Sequence, residues 1–70
     1  MNRYEFRNYI KSIGFKYNGH GYYVYKEYQI ILYTDYYNYY NGSRWCYYEL
    51  TDLTPLRKFD RSYKLKKILG

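Results

Sequence analysis

Few residues in this chain have side chains suited to catalysis, and their placement is poor. A nucleophile with its base would need Cys46 beside His20, the single cysteine and single histidine, and a third group to orient the imidazole. Cys46 falls in a strand-like run, and His20 sits among glycines in Gly19-His20-Gly21. The expectation for the pair is therefore a small buried hydrophobe and an exposed turn residue. Asp35 lies in a turn, Glu49 ends a strand-like run and Asp52 precedes a helix start, positions where carboxylates ordinarily form turns and caps. A phosphate-cradling glycine loop needs a strand, a glycine-rich turn and then a helix. Gly19-His20-Gly21 is followed by strand pattern instead. One cysteine and one histidine also exclude an internal disulfide and a Cys/His zinc site. No catalytic residue, metal or cofactor is expected, and the chain is read as not an enzyme.

Cations and aromatic rings remain. Arg3, Arg7 and Lys11 are four residues apart, so on a helix they line up. Arg57, Arg61 and Lys64 form a second outward row. Such rows suit phosphates, with salt-dependent binding because each neutralised phosphate releases counterions. The plainer role is a solvated face that keeps an aromatic-rich chain in solution. Fifteen of the 70 residues are tyrosine. Rings on an open sheet can stack unpaired bases, but the basic-glycine-aromatic-glycine run of RNA-recognition sheets is absent. Tyrosine also makes good protein contact surface, being large, rigid and polar at its tip. Tyr36, Tyr40, Trp45 and Tyr47 are the rings expected on an exposed face, an assignment that a one-residue slip would invert.

These side chains must be positioned by a small set of elements. Asn2 and Glu5 have capping-box spacing, and Phe6, Tyr9, Ile10 and Ile13 form one apolar stripe. Gly14 then supplies a helix stop, with Phe15 folding back on the last turn, so a helix is predicted over 3–13. Asn18-Gly19 predicts a type I′ hairpin turn. Aromatic and β-branched runs over 22–25, 28–33, 36–40 and 45–50 read as strands, joined at Thr34-Asp35 and Asn41-Gly42-Ser43. Lys26-Glu27 fits a turn or the middle of one long strand. Alternation puts Ile30, Leu32, Cys46, Tyr48 and Leu50 on the apolar side. A second helix is predicted from Thr54-Pro55, with threonine as cap and Leu56, Phe59 and Tyr63 inward; its apolar set changes phase at Leu65, Ile68 and Leu69. The order is α-β-β-β(-β)-α: one α+β domain over 1–70, without a linker, in which two helices cover one face of an antiparallel meander and leave the other bare.

Composition narrows the setting. There is no alanine and one valine, with tyrosine, lysine, asparagine and isoleucine in their place, the bias of an AT-rich genome. The expectation is a bacteriophage or mobile element of a low-GC bacterium. Formal charge is +6, divided as +3 over residues 1–16, −2 over 17–53 and +5 over 54–70. The basic ends attract polyanions and acidic protein surfaces. No apolar run approaches the roughly 18 residues of a membrane span, no signal peptide is visible, and one unpaired cysteine fits a reducing cytoplasm. The expectation is a cytoplasmic binding protein that docks on a host nucleoprotein or defence complex and inhibits or modifies it. The alternatives are direct binding of nucleic acid and a structural or homodimeric virion component.

Overall fold

The structure, a computed structural model, describes residues 1–60. Helix α1 spans Arg3–Ser12. Its capping box is formed: Glu5 N–H donates to Asn2 Oδ1 at 2.8 Å, and Asn2 N–H to Glu5 Oε1 at 3.4 Å. Its far end is a Schellman stop, in which Phe15 N–H donates to Ile10 O (3.0 Å) and Gly14 N–H to Lys11 O (3.2 Å). Gly14 has φ +114°, and a Cβ there would come within 3.1 Å of the Tyr25 ring. A glycine is therefore needed both for the backbone and for the close packing of β2.

Five antiparallel strands follow in sequence order: β1 Lys16–Tyr17, β2 Tyr23–Tyr25, β3 Tyr28–Leu32, β4 Tyr36–Tyr40 and β5 Trp45–Glu49. The predicted class and meander are present, with one short edge strand more than the sequence suggested. The Asn18-Gly19 expectation is corrected: the β1–β2 connection spans residues 18–22 rather than a two-residue turn. Asn18 Oδ1 accepts from both His20 N–H and Tyr22 N–H and organises this wider loop. Lys26-Glu27 is a tight turn, closed by the Tyr25↔Tyr28 pair, with Lys26 at φ +55°. The other two turns lie where predicted. Tyr33 N–H donates to Tyr36 O around Thr34-Asp35, and Asn41 Oδ1 accepts from Ser43 and Arg44 N–H.

The second helical segment opens as a 3₁₀ turn, Thr54–Leu56, and continues helically over 57–60. The sequence expectation of Thr54 as cap is corrected: Thr54 is the first residue of the turn, the cap position falls on Leu53, whose side chain makes no capping bond, and the Asp52 carboxylate accepts from Thr54 N–H at 3.1 Å. Tyr63, Leu65, Ile68 and Leu69, with the change of phase assigned to them, lie outside the described residues.

Both helical segments pack on one face. Phe6, Ile10 and Ile13 of the first and Leu56 and Phe59 of the second join Phe15, Tyr23, Ile30, Tyr37, Tyr39 and Leu50 in a single core. Rings supply most of its volume, each burying on the order of 150–250 Å². Phe59 lies edge-on to Phe15, Tyr25, Tyr28 and Tyr39, with centroids 4.7–6.2 Å away. Tyr37 is fully buried beneath Phe6 and donates its hydroxyl to Asp52 O at 2.6 Å, tying β4 to the segment that leads into the second helix. The predicted apolar side is confirmed in register: Tyr23, Ile30, Tyr39 and Cys46 form one row, and Leu32, Tyr37 and Tyr48 the next.

Candidate functional site

The strand pairing that turns Tyr37 and Tyr39 inward turns their neighbours outward. On the face opposite the helices, Val24, Gln29, Tyr40 and Trp45 form one row, and Ile31, Asn38 and Tyr47 another. Tyr36, paired with Glu49, follows at the sheet end. No described element covers this face. The four rings expected there, Tyr36, Tyr40, Trp45 and Tyr47, all lie on it. Tyr47 is 75 % exposed, Trp45 43 % and Tyr36 40 %, whereas Tyr40 is half-buried.

Two ring groups form within the face. Trp45 lies 5.3 Å from Tyr40 and 6.3 Å from Tyr22, so the indole reaches across the strands and covers Tyr40. At the other end Tyr33 and Tyr36 stack at 4.6 Å, with Tyr47 edge-on to Tyr36 at 5.9 Å. Tyr22 was missed in the sequence, and Tyr33, whose parity with Gln29 and Ile31 places it on this face, was not among the four candidate rings. The rings hold one another in place, so the face is pre-organised for contact. Of the fourteen described tyrosines, three are buried, six half-buried and five exposed. Core filling therefore does not absorb the aromatic supply.

On the helix side, Arg3, Arg7 and Lys11 do line up along α1. They border a groove of about 570 Å³, whose remaining lining is Tyr4, Tyr17, Gly21, Tyr23 and Leu32. Arg7 is half-buried with its guanidinium over the Tyr4 ring at 4.5 Å. Its Nε is withdrawn from solvent and has no hydrogen-bond partner among the described residues. Tyr4 and Tyr17, both more than half exposed, were also missed; the i, i+3 spacing of Tyr4 and Arg7 was an unused signal for the first. A second cleft of about 760 Å³ runs between the start of α1 and the sheet end. Arg3 borders both cavities, and Tyr36 and Tyr47 line the second, so the basic groove and the aromatic face meet there. Arg57 is exposed and does not line either cavity. Arg61 and Lys64 lie outside the described residues.

Cys46 is half-buried on the helix side of β5, and His20 is exposed in the β1–β2 loop. No hydrogen bond joins them among the described residues, and no group of three His, Cys, Asp or Glu there could hold a metal. Among the described residues, the groups displaced from their ordinary titration range are phenols on the core side. Burial first, then the Asp52 carboxylate and neighbouring phenols, pushes Tyr37 well above the ordinary phenol value. Burial likewise pushes Tyr39 up to about 12, helped by Tyr28, Tyr48 and Glu27; its hydroxyl has no partner among the described residues. Tyr9 is raised by burial and by Asp60, against the pull of Arg57. Among the described residues no helix is long and apolar enough to cross a membrane. No family model, curated protein or solved structure matches the chain.

Proposed function

We propose that this is a small non-enzymatic docking protein, encoded by a phage or mobile element, which inhibits or modifies a host nucleoprotein or defence complex in the cytoplasm. The observation that carries the reading is the uncovered sheet face, where Tyr33, Tyr36, Trp45 and Tyr47 stay exposed and no described element of the same chain lies over them. Contiguous exposed aromatic area tends to mark an interface, and rings already packed on one another lose little freedom on binding. Arg3, where the two cavities meet, supplies a basic rim suited to an acidic or phosphate-rich border on the target.

The test is affinity capture from lysates of low-GC bacteria, with and without nuclease, comparing the natural chain with a Tyr36→Thr/Tyr47→Thr variant. Threonine keeps strand propensity while removing the rings. The expected result is one stoichiometric protein or complex, retained after nuclease and lost with the variant. Interface anchors cost upwards of about 2 kcal/mol each when truncated, a thirtyfold loss of affinity. Capture that is indifferent to the two rings, or no stoichiometric capture, overturns the reading.

A further inference from the structure

The groove along α1 has the make-up of a ligand site in its own right. Its floor is Tyr23 and Leu32, one wall is Arg3, Tyr4, Arg7 and Lys11, and the other is Tyr17 with Gly21. Its volume, about 570 Å³, lies within the range of pockets that take small ligands, roughly 300–1,000 Å³. None of its three cations is ion-paired with a carboxylate among the described residues; Glu5, the acid on α1, is taken up by the capping box. Successive cations lie about 6 Å apart along the helix axis, four residues at 1.5 Å each. That is the scale of one nucleotide step along an extended strand.

Two further observations select the ligand. Arg7 is pinned, half-buried and stacked on Tyr4, with an Nε that has no hydrogen-bond partner and no acceptor for its charge among the described residues. A guanidinium stacked on a ring keeps its terminal N–H groups free in the plane, where they match the oxygens of a phosphate. The opposite wall offers a flat surface. Tyr17 packs on Tyr23 at 5.1 Å, and its hydroxyl oxygen accepts from Gly21 N–H at 3.1 Å, which fixes the ring while it stays 54 % exposed. A row of cations, with Tyr4 beside them and the oriented Tyr17 ring facing them, suits a chain that alternates phosphates with planar bases. An acidic peptide would use the cations and leave the rings unmatched.

The geometry points to a single-stranded nucleic-acid site in this groove, with phosphates on Arg3, Arg7 and Lys11 and bases stacked on Tyr4 and Tyr17. The site lies on the helix side of the sheet and shares only Arg3 with the rim of the docking face, so it does not rest on the docking proposal. The test is fluorescence anisotropy of the purified full chain with a short labelled oligothymidylate, titrated at several salt concentrations. Three phosphate contacts on a single strand predict a slope of log affinity against log salt of about −2. Arg3→Gln/Arg7→Gln/Lys11→Gln is expected to flatten that slope and abolish binding at moderate salt. Tyr17→Leu is expected to lower affinity by roughly five- to a hundredfold at unchanged slope, the range seen for single stacked bases. Arg44→Gln, which removes a cation on the β4–β5 turn, changes affinity less than about twofold if the groove rather than net charge binds. Circular dichroism verifies the fold of each variant.

A logarithmic loss for Arg44→Gln as large as about one third of the groove triple variant's, the share that net charge alone would give to one cation of three, overturns the site. So does polyglutamate competing as well as unlabelled oligothymidylate at equal charge, which would assign the groove to acidic protein surfaces. Because the readout is a purified two-component titration, its failure leaves nuclease-resistant protein capture by the sheet face standing, and the reverse holds too.

Discussion

Trp45 and Tyr47 lie two residues apart on the same face of β5, yet their removal is expected to have unequal consequences. Tyr47 is 75 % exposed, so a quarter of a side chain worth about 200 Å² is covered, on the order of 50 Å² or about 1 kcal/mol at 25 cal/mol/Å². Trp45 is 43 % exposed, so over half of about 250 Å² is covered, with Tyr40 and Tyr22 among the rings against it, which corresponds to about 3.5 kcal/mol as an upper bound. A chain of this length has a total stability of roughly 4–10 kcal/mol. Trp45→Ala should therefore lower the urea midpoint severely, and Tyr47→Thr by about 1 kcal/mol or less. The assay is equilibrium urea unfolding followed by far-ultraviolet circular dichroism, which does not depend on the indole. If Tyr47→Thr costs as much as Trp45→Ala, Tyr47 is structural and the exposed-face assignment fails. If Trp45→Ala is free, the ring layer gives no mutual support. The asymmetry is also why Tyr36 and Tyr47, rather than Trp45, are the rings to alter in the capture experiment.

Alkaline pH should unfold the domain from within. A phenol whose folded pKa is raised contributes stability that is complete below its unfolded pKa, about 10. That stability is lost as pH rises, because above 10 the unfolded chain releases protons that the native core retains. The fall begins near pH 10 at about 1.4 kcal/mol per pH unit for each such phenol and continues for Tyr39 to its folded value of about 12, with Tyr37 acting in the same direction. Urea midpoints at pH 8, 10 and 11 check it, and a flat response over that range would contradict the burial of these rings. Gly14→Ala should cost about 2 kcal/mol, since it combines a positive φ with a Cβ pressed on Tyr25, whereas Gly19→Ala, with open space around it, should lose only about 1 kcal/mol for its backbone; thermal denaturation of the pair separates the two contributions.

How much could be read in advance differs from element to element. Helix α1 was legible at both ends because its signals are local: Asn2 and Glu5 bond each other, and Gly14 with Phe15 closes the last turn. Strands β3 to β5 were legible because alternation was strong enough to sort Ile30, Tyr37, Tyr39 and Tyr48 from Tyr36, Tyr40, Trp45 and Tyr47. Strand β1 was not, since two residues carry no period. The Asn18-Gly19 pair misled because Asn18 uses its side chain to span to Tyr22, so a strong turn dipeptide served a wider loop. Thr54 does not cap because the turn begins one residue earlier than the Thr-Pro signal implied, with Thr54 inside it and its N–H donated to the upstream Asp52 carboxylate. The basic row was visible from its spacing. The groove was not, since Tyr17, Gly21, Tyr23 and Leu32 reach it only once the meander has folded beside α1.

Composition alone does not explain where the rings lie. A bias toward AT-rich codons raises the number of tyrosines but is blind to strand parity and helix phase. On β4 the inward positions Tyr37 and Tyr39 are buried and packed by Phe6, Tyr28 and Phe59, with the Tyr37 hydroxyl satisfied by Asp52. The outward positions Tyr36 and Tyr40 join Tyr33, Trp45 and Tyr47 in a second layer that nothing in the described chain covers. A polar outward row would have kept such a small domain in solution at no cost to its core, as Gln29 and Asn38 do on the same face. An exposed ring carries the opposite cost, a standing tendency to associate. Keeping that cost at Tyr36 and Tyr47, beside a cavity that shares Arg3 with the basic groove, is understandable if both surfaces are occupied in use and wasteful if neither is.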